Sequence, residues 1–261
     1  MKTLIQKELR QTRKILLVWL MLVLMLVGFC YFEFLSLKDS LDDMAKMMEM
    51  FPKILLLMFG VKADLSTPLG WYSCLYFWVS ILAFVYALNL GISCIAKELK
   101  NGTSSYLFTK PVCRMKIVLS KVIASVVNLL IFSVFSGICN YTMIILPTGG
   151  LEPQAAALTT TIGLYLTQLM FFTIGLLISS IVKKYKAAVR IGTVFLLTSY
   201  FLVITAQYSG IRFLDLLSPL GYFDVYDVTL NGIRIFSLVL AFLIMTVCIY
   251  IAAKQWKKRE L

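Results

Sequence analysis

The chain has 261 residues, 60% of them apolar and 15% charged, and its 25 lysines and arginines against 13 acids leave a net charge of +12. A mean hydropathy of +0.88 excludes an ordinary water-soluble domain and makes this a membrane protein. The absence of histidine excludes a histidine base, a Ser-His triad and the common zinc sites, and no two glycines stand five residues apart, so the phosphate-binding loop of nucleotide hydrolases is missing too.

Residues 1–14 place Leu4, Ile5 and Leu9 on one helical face, with Lys2, Lys7, Arg10 and Arg13 around it. That pattern predicts an amphipathic elbow helix lying in the membrane interface ahead of the first span. No small-residue processing site follows the apolar run, so the segment does not read as a cleavable signal.

A helix needs about 20 largely apolar residues to cross about 30 Å of hydrocarbon. Six stretches qualify, near residues 15–35, 71–96, 117–146, 155–182, 188–208 and 234–253. The predicted fold is therefore all-α: one polytopic transmembrane domain over 1–261, with six transmembrane helices and no soluble domain or repeat.

The first span ends near Glu33, and a long connection follows to Gly70. Within it Leu41, Met44, Met47, Met48, Phe51, Ile54, Leu55 and Met58 recur at helical spacing, interrupted at Pro52, which predicts one or two surface helices. Thioethers select copper(I), so the cluster from Met47 to Met50 admits a soft-metal reading, but adaptable packing is the commoner use of methionine. The second span carries Asn89, the third Asn128 and Asn140, and the fourth Gln168. Amides in hydrocarbon commonly bond a neighbouring helix, and the same three asparagines are the polar candidates for lining a translocation path.

Between the second and third spans lies the most unusual connection. Lys97 to Lys121 carries six cations and one acid, and Gly102 and Pro111 bracket a run, Thr103 to Lys110, with Tyr106, Leu107 and Phe108 at its centre. Thr103 or Ser104 can open one or two helical turns there, and Pro111 stops them. A rigid aromatic and aliphatic knob of this kind suits a groove on a partner; a basic loop resting on anionic lipid is the plainer alternative. The turn at Lys183 to Lys186 makes the fourth and fifth spans an antiparallel pair. Between the last two spans, Leu216 to Asp224 predicts an outer cap of short half-helices started by Ser218 and Pro219, and the basic tail from Lys254 carries Trp256 as an interfacial anchor.

The charges orient the chain. With the amino terminus inside, 19 of the 25 cations fall on inside segments, whereas ten of the 13 acids lie outside or at that edge. This positive-inside bias predicts cytoplasmic termini and accounts for the net charge without nucleic-acid binding. Cys30, Cys74, Cys94, Cys139 and Cys248 sit within or at the ends of apolar spans and Cys113 in the loop, so no disulfide framework is expected.

Five stretches, in this order, resemble the membrane subunits of bacterial type-2 ATP-binding-cassette transporters, including bacteriocin-resistance and multidrug exporters. They are Lys7-Glu8-Leu9-Arg10; Phe59-Gly60 with Asp64 to Gly70; Glu98 to Arg114 with Gly102-Thr103 and Lys110-Pro111-Val112; Lys183 to Ala188; and Leu217-Ser218-Pro219 with Tyr222-Phe223-Asp224. The resemblance implies an elbow helix carrying Lys7, Glu8 and Arg10, a cytoplasmic coupling helix, and short outer re-entrant helices. It assigns the ATPase contact to Glu98, Gly102, Thr103, Tyr106, Leu107, Phe108, Lys110, Pro111 and Arg114. Where that family often has an acid near Tyr106 and Leu107, this chain has Ser104 and Ser105.

The implied protein is an export permease of the bacterial cytoplasmic membrane, moving an amphipathic or hydrophobic substrate such as an antimicrobial peptide, drug or lipid-like molecule. Its implied partners are two ATPase subunits, a second membrane subunit as homodimer or heterodimer, and membrane lipid. It would bind no cofactor itself, with ATP and Mg held by the partner ATPase. Two other classes remain: a membrane scaffold or immunity protein without ATP coupling, and an intramembrane enzyme using Glu33, Asp215, Asp224 or Asp227. No second group at catalytic spacing supports the enzyme.

Overall fold

A computed structural model of the chain describes residues 1–37, 40, 43, 46–48, 50–65, 67–100, 114–148, 153–182 and 184–258. The chain is an all-α polytopic membrane protein, with no strand among the described residues. Six helices are long and apolar enough to span: α1 (Lys2–Leu37), α3 (Pro68–Lys100), α4 (Arg114–Thr148), α5 (Pro153–Ile181), α6 (Tyr185–Ser209) and α9 (Ile235–Lys258). Short α2 (Lys53–Met58), α7 (Arg212–Leu217), a 3-10 turn (Pro219–Gly221) and α8 (Val225–Asn231) gather at the end of the bundle opposite the termini. That end is the cap end below, and the other is the terminal end.

Several helix limits follow from local chemistry. Pro52 immediately precedes α2, where its fixed φ suits helix entry. The Thr67 hydroxyl accepts from the Gly70 amide at 3.1 Å, capping α3 ahead of Pro68. At the other end of the scale, α6 stops at Gly210, whose φ of 71° is the left-handed conformation that glycine adopts cheaply.

Two features depart from expectation. Residues 1–14 are not a separate elbow: they are the first turns of one unbroken 36-residue helix, α1. At 1.5 Å per residue such a helix runs about 54 Å, well beyond the roughly 30 Å of hydrocarbon, so it is longer than a span requires. No proline or glycine interrupts residues 2–27, so nothing local breaks the helix there. In the cap, Ser218 and Pro219 do open a short helix, the 3-10 turn, but Ser218 does not cap it with its side chain. Its hydroxyl donates to the Ser199 carbonyl at 2.9 Å, and the start of α8 is capped by Asp224, which accepts from the Tyr226 and Asp227 amides.

The centre of the bundle is the α3–α5 crossing. A Cβ on Gly91 would lie 2.2 Å from the Phe172 carbonyl oxygen, and one on Gly175 would lie 2.6 Å from that of Leu88. The Ser179 hydroxyl reaches the Gly91 carbonyl at 3.4 Å beside this contact. Small residues let backbones approach when lipid supplies no hydrophobic drive for helix association. Around the crossing pack Val79, Ala83, Ala87, Leu129, Phe132 and Phe171, all buried, with Phe84 stacked on Phe171 at 5.1 Å. Helix α4 leans on α1, α3 and α5, and α6 leans on α3; α9 closes the far side of α5 through Ala241 and Met245 near Met170. Large apolar side chains stay exposed along α1, α6 and α9, including Met25, Phe29, Val194, Phe201, Val239 and Phe242.

Gly91→Val should separate α3 from α5 and lower the melting temperature in detergent by about 5 °C or more, since backbone rather than a flexible side chain blocks the added carbons. Gly28→Ala, where nothing lies within 4 Å, should leave it unchanged.

Candidate functional site

At the terminal end, α1 is fastened to α4 by two polar contacts. Lys121 Nζ lies 3.2 Å from Glu8 Oε2, with side chains only 12% and 18% exposed. One turn further along α1, the Thr12 hydroxyl accepts from Asn128 Nδ2 at 2.8 Å and donates to the Glu8 carbonyl at 3.0 Å. Cys94 and Ser125 meet at 3.4 Å and join α3 to the same region of α4. An ion pair this far from water loses much if one member is removed and less if both are.

Between these three helices runs a slot of about 120 Å³, lined from α1 by Glu8, Gln11, Ile15 and Trp19, from α3 by Tyr86, Asn89 and Ser93, and from α4 by Lys121 and Ser125. The Tyr86 ring sits between Trp19, 5.5 Å away, and Phe132, 5.3 Å away. Its hydroxyl is buried and has no hydrogen-bond partner among the described residues. Asn89, also in the lining, donates to the Val85 carbonyl on its own helix at 2.9 Å.

The expected site residues divide sharply. Asn89 lines the slot, Asn128 is spent on Thr12, and Asn140 is wholly buried on α4 with both amide atoms unpartnered among the described residues. The structure therefore does not bring the three asparagines into one lining. Of the N-terminal trio, Glu8 faces α4 while Lys7 and Arg10 are exposed. Glu98 lies in the last turn of α3 and Arg114 opens α4. Gly102, Thr103, Tyr106, Leu107, Phe108, Lys110 and Pro111 lie outside the described residues. Lys121, Thr12 and Tyr86 were not singled out from sequence; a lone acid among five N-terminal cations was the available sign that Glu8 needs a partner.

The cap end carries a second cluster. Asp224 caps α8, pairs with Lys62 from the segment after α2, and accepts from Gln207 of α6 at 3.4 Å, so one carboxylate holds three elements. The Tyr200 hydroxyl donates to the Met58 carbonyl at 2.6 Å, fixing α2 to α6. Lys62, Gln207 and Asp224 border a cleft of about 560 Å³ whose other walls include Leu56, Val61 and Tyr226. Asp215 is held above the ordinary carboxylate range, first by burial and then by the nearby charge of Asp224.

Among the described residues the arrangement is a polar-tied helical bundle with a slot at one end and a latched cap at the other. The family described as ABC-2 family transporter protein matches residues 2–254. The chain belongs to that family. Among curated proteins, none matches it. As an ABC-2 membrane component, this permease has a transport role, and members of the family generally work with ABC ATPase partners.

Lys121→Met alone should destabilise the permease by about 2–3 kcal/mol, and adding Glu8→Gln should restore at least half of that loss in a double-mutant thermal series. A second expectation concerns pH. Because the folded state raises the Asp215 pKa, its negative charge opposes folding at neutral pH, and the opposition disappears as the pH falls below about 4. Asp215→Asn should therefore raise the melting temperature at pH 7 by about 1–2 °C and give no gain near pH 4.

Proposed function

We propose that this ABC-2 permease is the transmembrane subunit of an ATP-driven exporter in the bacterial cytoplasmic membrane, coupled to a separately encoded ATPase through Glu98 to Arg114. The family match carries this reading. In it, the partner ATPase binds ATP and Mg, and its closure on nucleotide moves a groove that grips Tyr106, Leu107 and Phe108. Gly102, Thr103 and Pro111 shape that knob, and Lys110 and Arg114 add charge around it. This chain is then non-catalytic.

The helices on either side support the mechanical part. α3 runs unbroken to Lys100 and α4 unbroken from Arg114, and each reaches the buried centre of the bundle. A displacement of the connection would pass into α3 and α4 instead of being absorbed by a hinge. The Glu8–Lys121 pair would carry α1 with them. Nucleotide drives the change only through the ATPase's different affinity for its two states.

Two ATPase subunits and two membrane subunits make up the working assembly, the second permease packing on part of the apolar surface left open on α1, α6 and α9 and lipid covering the rest. Charge bias puts both termini and the 97–121 connection in the cytoplasm. The substrate is amphipathic or hydrophobic, matching an interior with scattered hydroxyls and amides and no unpaired charge at its centre. Asn89, the one of the three asparagines with open space beside it, is the first candidate for contact along the translocation path.

The test is co-expression with the cognate ATPase. Leu107→Asp puts a charge into an apolar groove and should leave the permease inserted and dimeric while cutting permease-dependent ATP hydrolysis at least tenfold. Full ATPase stimulation by that variant, or labelling of Tyr106 from outside the cell, overturns the coupling assignment.

A further inference from the structure

We infer that Cys30 of α1 and Cys74 of α3 form a redox-active dithiol, which a small disulfide oxidant closes into a bond that clamps α1 to α3 at the cap end. The assignment rests on no step of the ATPase-coupling reading.

Helix register brings the two together. Trp19 meets Tyr86 with ring centroids 5.5 Å apart and Phe34 meets Trp71 at 5.7 Å, so the contacts are spaced alike on both helices, from 19 to 34 and from 71 to 86. α1 and α3 therefore run antiparallel in one register along this seam. Four residues back from Phe34 is Cys30, and four on from Trp71 is Leu75, the neighbour of Cys74. On α1, Cys30 shares a face with buried Val27 and Phe34 and packs against the core. Charge tells of the same proximity: Cys74 feels a charge at Cys30 more strongly than one at Glu33, and the Glu33 carboxylate acts on both sulfurs.

Exposure separates this pair from the other thiols. Of the five described cysteines, Cys94, Cys139 and Cys248 are buried, whereas Cys30 and Cys74 are part-exposed and free. Exposed Glu33 lies about 4.5 Å beyond Cys30 along α1, at the end of the apolar run, so a water-soluble reagent reaches this level. Among the described residues no third Cys, Asp or Glu completes a metal site with the pair, but two sulfurs suffice for a disulfide. The Cys74 thiol rests on the Phe59 carbonyl at 3.5 Å, a weak bond for a sulfur donor, and gives it up on turning toward α1.

Exchange with a small disulfide such as oxidised glutathione balances the step. The Cys30 thiolate attacks one glutathione sulfur, the S–S bond of the oxidant breaks, and one glutathione leaves with the electron pair and takes up a proton. The Cys74 thiolate then attacks the Cys30 sulfur of the mixed disulfide and expels the second glutathione. Two protein thiols are oxidised by two electrons, and one glutathione disulfide is reduced to two thiols. The new bond closes the loop from residue 30 to residue 74 and restricts the unfolded chain.

The test uses the full-length permease in nanodiscs, treated with oxidised glutathione at pH 8, quenched with N-ethylmaleimide, digested and mapped by mass spectrometry. Most molecules should carry a Cys30–Cys74 link within one chain, reversible by dithiothreitol, and the oxidised protein should melt about 4 °C or more above the reduced one. Cys74→Ala should stop at the mixed disulfide on Cys30 and show no rise in melting temperature. Separate alkylation of both thiols after oxidation overturns the dithiol, as does a mixed disulfide that persists on the unsubstituted chain or a link from either cysteine to a second copy. A Cys30–Cys74 bond without a rise in melting temperature overturns the clamp. The peptide map of the unsubstituted chain decides the pairing without any variant having to fold, and no ATPase is present, so its failure and a failure of coupling are read separately.

Discussion

The backbone contact between α3 and α5 at Gly91 and Gly175 is the constraint from which the rest of the bundle follows. In lipid, apolar side chains gain little by leaving the solvent for a neighbouring helix, so association depends on how closely atoms pack and on which polar groups find partners. Two glycines facing each other allow carbonyls of one helix to approach the α-carbons of the other, and Ser179 adds a hydroxyl at the same level. With that distance set, Phe84 and Phe171 can stack, and α4 and α6 find their places against α3. A wider crossing would open voids through the layer of Ala83, Ala87, Leu129 and Phe132 that surrounds it.

Polar ties are placed where the glycine crossing cannot reach. At the terminal end, α1 contributes little to the core beyond Leu16, Val23, Val27 and Phe34, and its attachment relies on Glu8 and Thr12 reaching Lys121 and Asn128. At the cap end, short helices too brief to hold themselves in place are fixed by Asp224, Tyr200 and Ser218, each bridging residues distant in the chain. Between these ends Ser136, Asn140 and one nitrogen of Gln168 are buried without a described partner. Hydroxyls and amides in such a setting are expensive to leave unpaired, which marks the α4–α5 seam as less well satisfied than either end.

Span number and position were legible because a lipid-crossing helix writes itself in hydropathy, and runs such as Pro153–Ile181 contain little else. The surface helix after Pro52 was equally readable. Hydropathy says nothing, however, about whether two adjoining helical patterns share one axis. Residues 1–14 have an amphipathic pattern of their own, yet with no breaker before Gly28 they continue straight into the first span. Ser218-Pro219 reads as a helix start in sequence and does open the 3-10 turn, but a buried Ser199 carbonyl one helix away takes the hydroxyl, a tertiary demand invisible in local spacing. Of the site, Asn89 was legible as a polar intrusion in an apolar run. Tyr86 was not, because a tyrosine inside a span reads as packing until the surroundings of its hydroxyl are known.

The position of the slot relative to the ties gives it a mechanical meaning. Its walls belong to three helices, and two of them, α3 and α4, flank the connection through which an ATPase would act on this ABC-2 permease. The third, α1, is joined to α4 by Glu8 and Lys121 in the slot's lining, while α3 is held to α5 by its glycine contact. Cys94 and Ser125 join α3 to α4 beside the same slot, and α4 packs on both α3 and α5, so the three walls are tied to one another. The Glu8–Lys121 pair thereby does more than hold α1 in place: it ties the first helix to α4, so that a displacement of α4 would be shared by α1.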